Sequence, residues 1–154
     1  MKIIESILKL NECFVTGKKI PIKGIMLHSV GVSQPSAQTF VRSWNTAKPG
    51  GRSVCVHAFL EQNGDVYQTL PWDYRAWHCG SGPKGSANDT HIGVEMTEPS
   101  TIQYNPNGSW VDKDPAKTKS FILGTYNTAV ELFAKLCKDF KLDPLKDGVI
   151  ISHT

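Results

Sequence analysis

Two short apolar runs in this chain end in histidine: Gly24-Ile-Met-Leu-His28 and Gly148-Val-Ile-Ile-Ser-His153. A continuous apolar run of this length bounded by glycine reads as a buried strand. Such a strand holds an imidazole at its tip rigidly. Strands remote in sequence can pair in one sheet, so the two rings can converge on one cation. Neutral imidazole suits Zn²⁺, and a catalytic zinc site uses three protein ligands and an open position for water. His28 and His153 are two candidates, and the sequence offers no clear third.

The stretch between them reads as alternating elements. Ser33 and Pro35 form a helix-start signature, and Ala37, Phe40, Val41 and Trp44 recur at helical spacing, predicting a helix to about Thr46. Val54–Gln62 and Asp65–Leu70 are β-rich on either side of Asn63-Gly64, a hairpin turn. His91–Met96 is a further strand, and 97–114 reads as irregular, with Pro99, Pro106 and Gly108. Asp114-Pro115 opens the longest helix as cap and first-turn proline. Ile122, Tyr126, Ala129, Phe133, Leu136 and Phe140 form its apolar stripe, and Cys137 lies on the same side. Val149–Ile151 is the last strand. Residues 1–23 read as an arm. The order β-α-β-β-β-α-β predicts an α/β fold with a mixed central sheet flanked by helices, in one domain over residues 1–154.

Composition narrows the function. The chain is 40% hydrophobic and 20% charged with a net charge of +3, and its basic residues are scattered. That excludes a nucleic-acid-binding patch. No run is long enough to span a bilayer, and the opening Met1–Leu10, interrupted by Glu5 and Lys9, is no signal peptide. Synthesis in the cytoplasm without membrane insertion is expected. Cys13, Cys55, Cys79 and Cys137 lack CxxC spacing and read as free thiols.

Four more residues stand out. Glu95 lies in the apolar run Ile92–Met96, where a carboxylate is costly unless paired or working. It either faces solvent on an edge strand or serves as a proton acceptor. His57 shares a strand face with Cys55 and Phe59 and is either core or directed into a cleft. His78 follows Arg75-Ala-Trp77 and precedes a glycine-rich loop, a setting that suits a groove wall. His91 opens a strand and reads as a surface residue. The aromatic group Trp72, Tyr74 and Trp77 suits either core or a stacking platform.

Together these segments resemble the type 2 N-acetylmuramoyl-L-alanine amidases, which share their fold with peptidoglycan recognition proteins and include many phage lysins. The resemblance rests on Gly24–His28, the Val54–Phe59 strand with its hairpin to Gln68, Ala76-Trp-His78, His91–Glu95 and Ile150–His153, in that order. It implies zinc-dependent hydrolysis of the amide joining N-acetylmuramic acid to L-alanine in peptidoglycan, after release of the protein to the cell wall. His28 and His153 would be metal ligands and Glu95 the proton-transfer residue. His57, Trp77, His78 and Asn88 would contact substrate. In the family the third ligand follows the second histidine, so the resemblance also implies a domain lacking its C-terminal segment. Two alternatives are a non-catalytic peptidoglycan-binding module with an incomplete metal site, and a cysteine peptidase using Cys55 or Cys79.

Overall fold

In the computed structural model, which describes residues 1–153, a six-stranded sheet is built from β1 (Lys2–Glu5), β2 (Gly24–Ser29), β3 (Ala58–Leu60), β4 (Asp65–Gln68), β5 (His91–Met96) and β8 (Ile150–Ser152). Its spatial order is β1-β4-β3-β5-β2-β8. Only the β3–β4 hairpin is antiparallel; every other neighbouring pair is parallel. The mixed sheet is the architecture expected from the sequence. Helices α1 (Glu12–Thr16), α2 (Ala37–Trp44) and α3 (Pro115–Asp139) accompany it.

Side chains alternate across a strand, so each strand divides its residues between two layers. Ile25, Ile92, Val94, Ala58, Leu60 and Val66 point to one face, where they pack against Ala129, Leu132, Phe133, Leu136 and Cys137 of α3. On the opposite face Phe59 and Tyr67 are covered by Ala37 and Phe40 of α2, with the Phe40 and Phe59 rings stacked at 4.8 Å. Thus α2 shields the β3–β4 end of that face, and the polar residues of β2 and β5 occupy the other end.

Four local readings are corrected. The N-terminal arm is structured: β1 adds an edge strand beside β4, and α1 follows, capped by the Asn11 side chain. Residues 97–114 contain a small antiparallel pair, β6 (Ile102–Tyr104) and β7 (Trp110–Asp112). At α2 the cap position is Ser36, not Ser33, whose hydroxyl instead donates to the Ile102 carbonyl. The first-turn amide of Ala37 is satisfied from the hairpin, by the Glu61 carboxylate at 2.7 Å. Finally, the N-terminal half of α3 is rotated relative to the expected stripe. Phe121, Thr125 and Thr128 are buried, whereas Tyr126 is 51% exposed. Threonine tolerates this burial because its hydroxyl finds carbonyl acceptors: Thr128 donates to Glu61 O at 2.8 Å and Thr125 to Ile122 O at 3.0 Å.

Leu132 is fully buried at the centre of the α3–sheet layer. Leu132→Ala should destabilise the protein by about 2–5 kcal/mol through lost transfer energy and a residual cavity. Urea denaturation would register this as a lower midpoint with an unchanged slope.

Candidate metal centre

The parallel register of three neighbouring strands assembles the site. His28 pairs with Glu95 across β2–β5, while Leu27 pairs with Ser152 across β2–β8, so His153 follows alongside His28. The His153 amide donates to Leu27 O at 3.1 Å, extending that alignment past the strand end. The two rings meet with Nδ1 facing Nδ1 at 3.2 Å. Two nitrogens bound at about 2.0–2.1 Å to one tetrahedral zinc are about 3.3 Å apart. The pair therefore has the spacing of one edge of such a site, and its donor chemistry suits the ion. Among the described residues no group of three or more His, Cys, Asp or Glu side chains is arranged to hold a metal. The expected third ligand, beyond Thr154, lies outside the described residues.

Glu95 projects from the same face of β5, opposite His28 in register. Its Oε2 is buried with no hydrogen-bond partner. Burial, reinforced by the neighbouring Glu98 carboxylate, raises its pKa to about 8. A carboxyl group tuned near neutrality can both accept and return a proton. Of the two readings of Glu95, the structure excludes the solvent-facing edge position, since β5 lies between β3 and β2.

His78 joins the cluster directly, its Nδ1 3.0 Å from His28 Nε2, and its Nε2 approaches the His91 carbonyl at 3.3 Å. Burial, with smaller contributions from His57 and His28, depresses its pKa to about 2. Burial and His153 similarly lower that of His28 to about 4. Both rings are thus neutral near pH 7, the form a metal ligand requires.

Three expected substrate contacts are placed elsewhere. His57 is 0% exposed: its Nδ1 accepts from Gly93 N–H at 3.0 Å, so Nε2 donates to Tyr74 O at 2.8 Å. With both nitrogens engaged it is a structural core residue and cannot face a groove. Asn88 is also buried; its Oδ1 accepts from the amides of His78 and Cys79 at 2.8 and 3.1 Å, and its Nδ2 donates to Cys79 O at 2.7 Å. It holds the 78–79 backbone in place of contacting substrate. Trp77 is 43% exposed and lines a separate hollow with Glu12 and Ser53, with the Arg75 guanidinium 4.1 Å from its ring. His91, read as a surface residue, is a tie: its Nε2 donates to Gly148 O at 2.9 Å and links β5 to the segment entering β8.

Cys55 is buried, and its thiol pKa is pushed well up by its hydrogen bond to Cys13, in which Cys55 is the donor, and by burial. That environment opposes a thiolate nucleophile. The Cys79 sulfur sits by Asn88 Oδ1 at 3.5 Å.

One residue of the region carries no sequence signal. Glu98 is buried and accepts hydrogen bonds from the Ser29 hydroxyl, from Gly31 N–H at 2.8 Å and from Tyr104 O–H at 2.6 Å. It ties the end of β2 to β6. Followed by Pro99 in an irregular, Pro- and Gly-bearing stretch, it looks like any loop acid. Beside the histidines a cleft of about 570 Å³ opens, bounded by the 79–87 loop, Met26, Gly148 and His153.

The mixed sheet thus carries a histidine pair and a strand glutamate on one face, and the family to which this arrangement belongs is identified by comparison. The chain belongs to the N-acetylmuramoyl-L-alanine amidase family, whose profile matches residues 18–154. Among curated proteins it resembles the 1,6-anhydro-N-acetylmuramyl-L-alanine amidase AmpD of Escherichia coli K12, 33% identical over 54 residues, covering 33% of this chain and 30% of that protein. The AmpD of Salmonella typhimurium LT2 is 37% identical over 54 residues, covering 33% and 29%. The matched stretch thus spans under a third of these relatives. The fold is that of the XlyA catalytic domain, with a TM-score of 0.71 at 20% identity over 99% of this chain and 84% of that one. It is also that of the E. coli amidase AmiD bound to anhydro-N-acetylmuramic acid-L-Ala-D-gamma-Glu-L-Lys, with a TM-score of 0.58 at 20% identity over 87% and 49%.

The raised Glu95 pKa has a measurable sign. In the metal-free protein the unfolded chain releases this proton near pH 4.5, while the folded chain keeps it to about pH 8. The folded state binds more protons in that window, so this group's contribution to stability falls as pH rises through it. The lowered His28 and His78 values act with the opposite sign and are shared by a Glu95→Gln variant. The stability of wild type minus that of Glu95→Gln should therefore decline from pH 4.5 to 8 and be flat outside it, as read by denaturation at a series of pH values.

Proposed function

We propose that this chain is a zinc-dependent N-acetylmuramoyl-L-alanine amidase that hydrolyses the amide between N-acetylmuramic acid and L-alanine in peptidoglycan, acting at the cell wall. The observation that carries this reading is the Nδ1–Nδ1 pair of His28 and His153 at 3.2 Å, beside a glutamate with a buried, unpartnered oxygen. His28 and His153 would hold the zinc. The ion would polarise the scissile carbonyl and acidify water. Glu95 accepts the proton of the attacking water and returns it to the departing alanine nitrogen, a transfer for which its near-neutral pKa is suited. The cleft of about 570 Å³ beside His153 is where the muropeptide would lie. His57, with both nitrogens committed, contributes no donor to the developing oxyanion.

A second reading is a peptidoglycan-binding module. It is favoured by the presence of only two suitably placed ring donors among the described residues. Incubation of the zinc-loaded protein with purified cell walls separates the two. The amidase reading expects free L-alanine amino groups to rise with no new reducing sugar ends. Wall pull-down without release would establish the binding module, and new reducing ends would identify a different bond. His28→Ala should abolish zinc retention and product release together. Glu95→Gln should retain zinc while the rate falls by about 10²–10⁴-fold.

A further inference from the structure

We propose that His78 is a positioning residue that fixes the tautomer and ring orientation of His28, turning the lone pair of His28 Nδ1 toward His153. The inference rests on the assignment of His28 and His153 as the metal-holding pair. It assigns His78 to the support of that pair and not to the wall of a substrate groove.

The argument runs through one chain of hydrogen bonds. A backbone carbonyl can only accept, so the His78 Nε2 that faces His91 O at 3.3 Å carries a hydrogen. In a neutral ring Nδ1 then bears the lone pair. It lies 3.0 Å from His28 Nε2, which must therefore be the donor. That leaves His28 Nδ1 without a hydrogen, 3.2 Å from His153 Nδ1. The neutral state of His78 follows from its surroundings: it is buried, and its ring partners are an imidazole and a carbonyl, with no carboxylate to support a second proton.

The surroundings hold His78 in this role. Its ring lies against the sheet over Gly93, where a Cβ would come within 2.4–2.7 Å of Cγ, Cδ2 and Nδ1. The Gly93 amide is itself fixed by donation to His57 Nδ1 at 3.0 Å. Asn88 clamps the backbone at His78 and Cys79 through three hydrogen bonds. A glycine in a buried strand, a buried histidine and a buried asparagine thus converge on the orientation of one imidazole. Partners of this kind fix which nitrogen of a ligating histidine is free for the metal.

The test compares wild type with His78→Phe, which keeps a ring but offers no acceptor, and with His78→Gln, whose amide can accept from His28 and donate to His91 O. Long-range ¹⁵N–¹H NMR on the metal-free proteins reads the His28 tautomer. Competition between protein and a chelator for Zn²⁺ alone reads affinity. Wild type and His78→Gln should show His28 protonated on Nε2. His78→Phe should shift protonation toward Nδ1 and weaken zinc binding by about 10–100-fold, with His78→Gln recovering most of it. A folded His78→Phe with an unchanged His28 tautomer and unchanged zinc affinity would overturn the proposal. So would wild type with His28 protonated on Nδ1, a measurement that needs no variant to fold. Wild type with the expected tautomer but no zinc binding would instead remove the metal assignment, leaving the His78–His28 linkage intact.

Discussion

The register of β2 between its two parallel neighbours is the constraint on which the site depends. Side chains alternate with a period of two, so a slip of one residue in either pairing would send an entire strand's set to the opposite layer. His28 would then face α3, and Ile25 and Leu27 would face the cleft. The pairings His28–Glu95 and Leu27–Ser152 prevent this. The α3 layer enforces them, because Ile25, Ile92 and Val94 must all lie on its side to be removed from water. Hydrophobic packing on one face thereby sets the polar geometry on the other. The cost of desolvating His28 and Glu95 appears in their displaced pKa values.

Much of this was legible in the sequence, because apolar runs ending in polar residues carry their own registration. Gly24–His28, His91–Glu95 and Val149–His153 each declare a strand and the residue it delivers. The Asn63-Gly64 turn declares the hairpin, and Asp114-Pro115 the start of α3. Less legible were features whose signal is a tertiary hydrogen bond. Thr125 and Thr128 look like the exposed side of α3, yet they are buried because nearby carbonyls accept their hydroxyls. Glu61 caps α2 from across a hairpin, a partnership that local sequence does not record.

The candidate site divides in the same way. The histidine pair and the strand glutamate could be read from their positions at the ends of apolar runs. The hydrogen-bond partners of His57, His78 and Asn88 could not, because they lie on elements remote in sequence. His57 and Asn88 resemble groove residues by type and neighbourhood, but their hydrogen bonds are spent on backbone groups. Glu98 shows the converse: a loop-like acid that is a buried junction between β2 and β6.

The two facing imidazoles are separated by 125 positions along the chain. Closing so long a loop is slow and entropically unfavourable until most native contacts exist to reward it. During folding His28 and His153 therefore remain apart until β8 docks beside β2. Their meeting is then a late event that reports completion of the sheet.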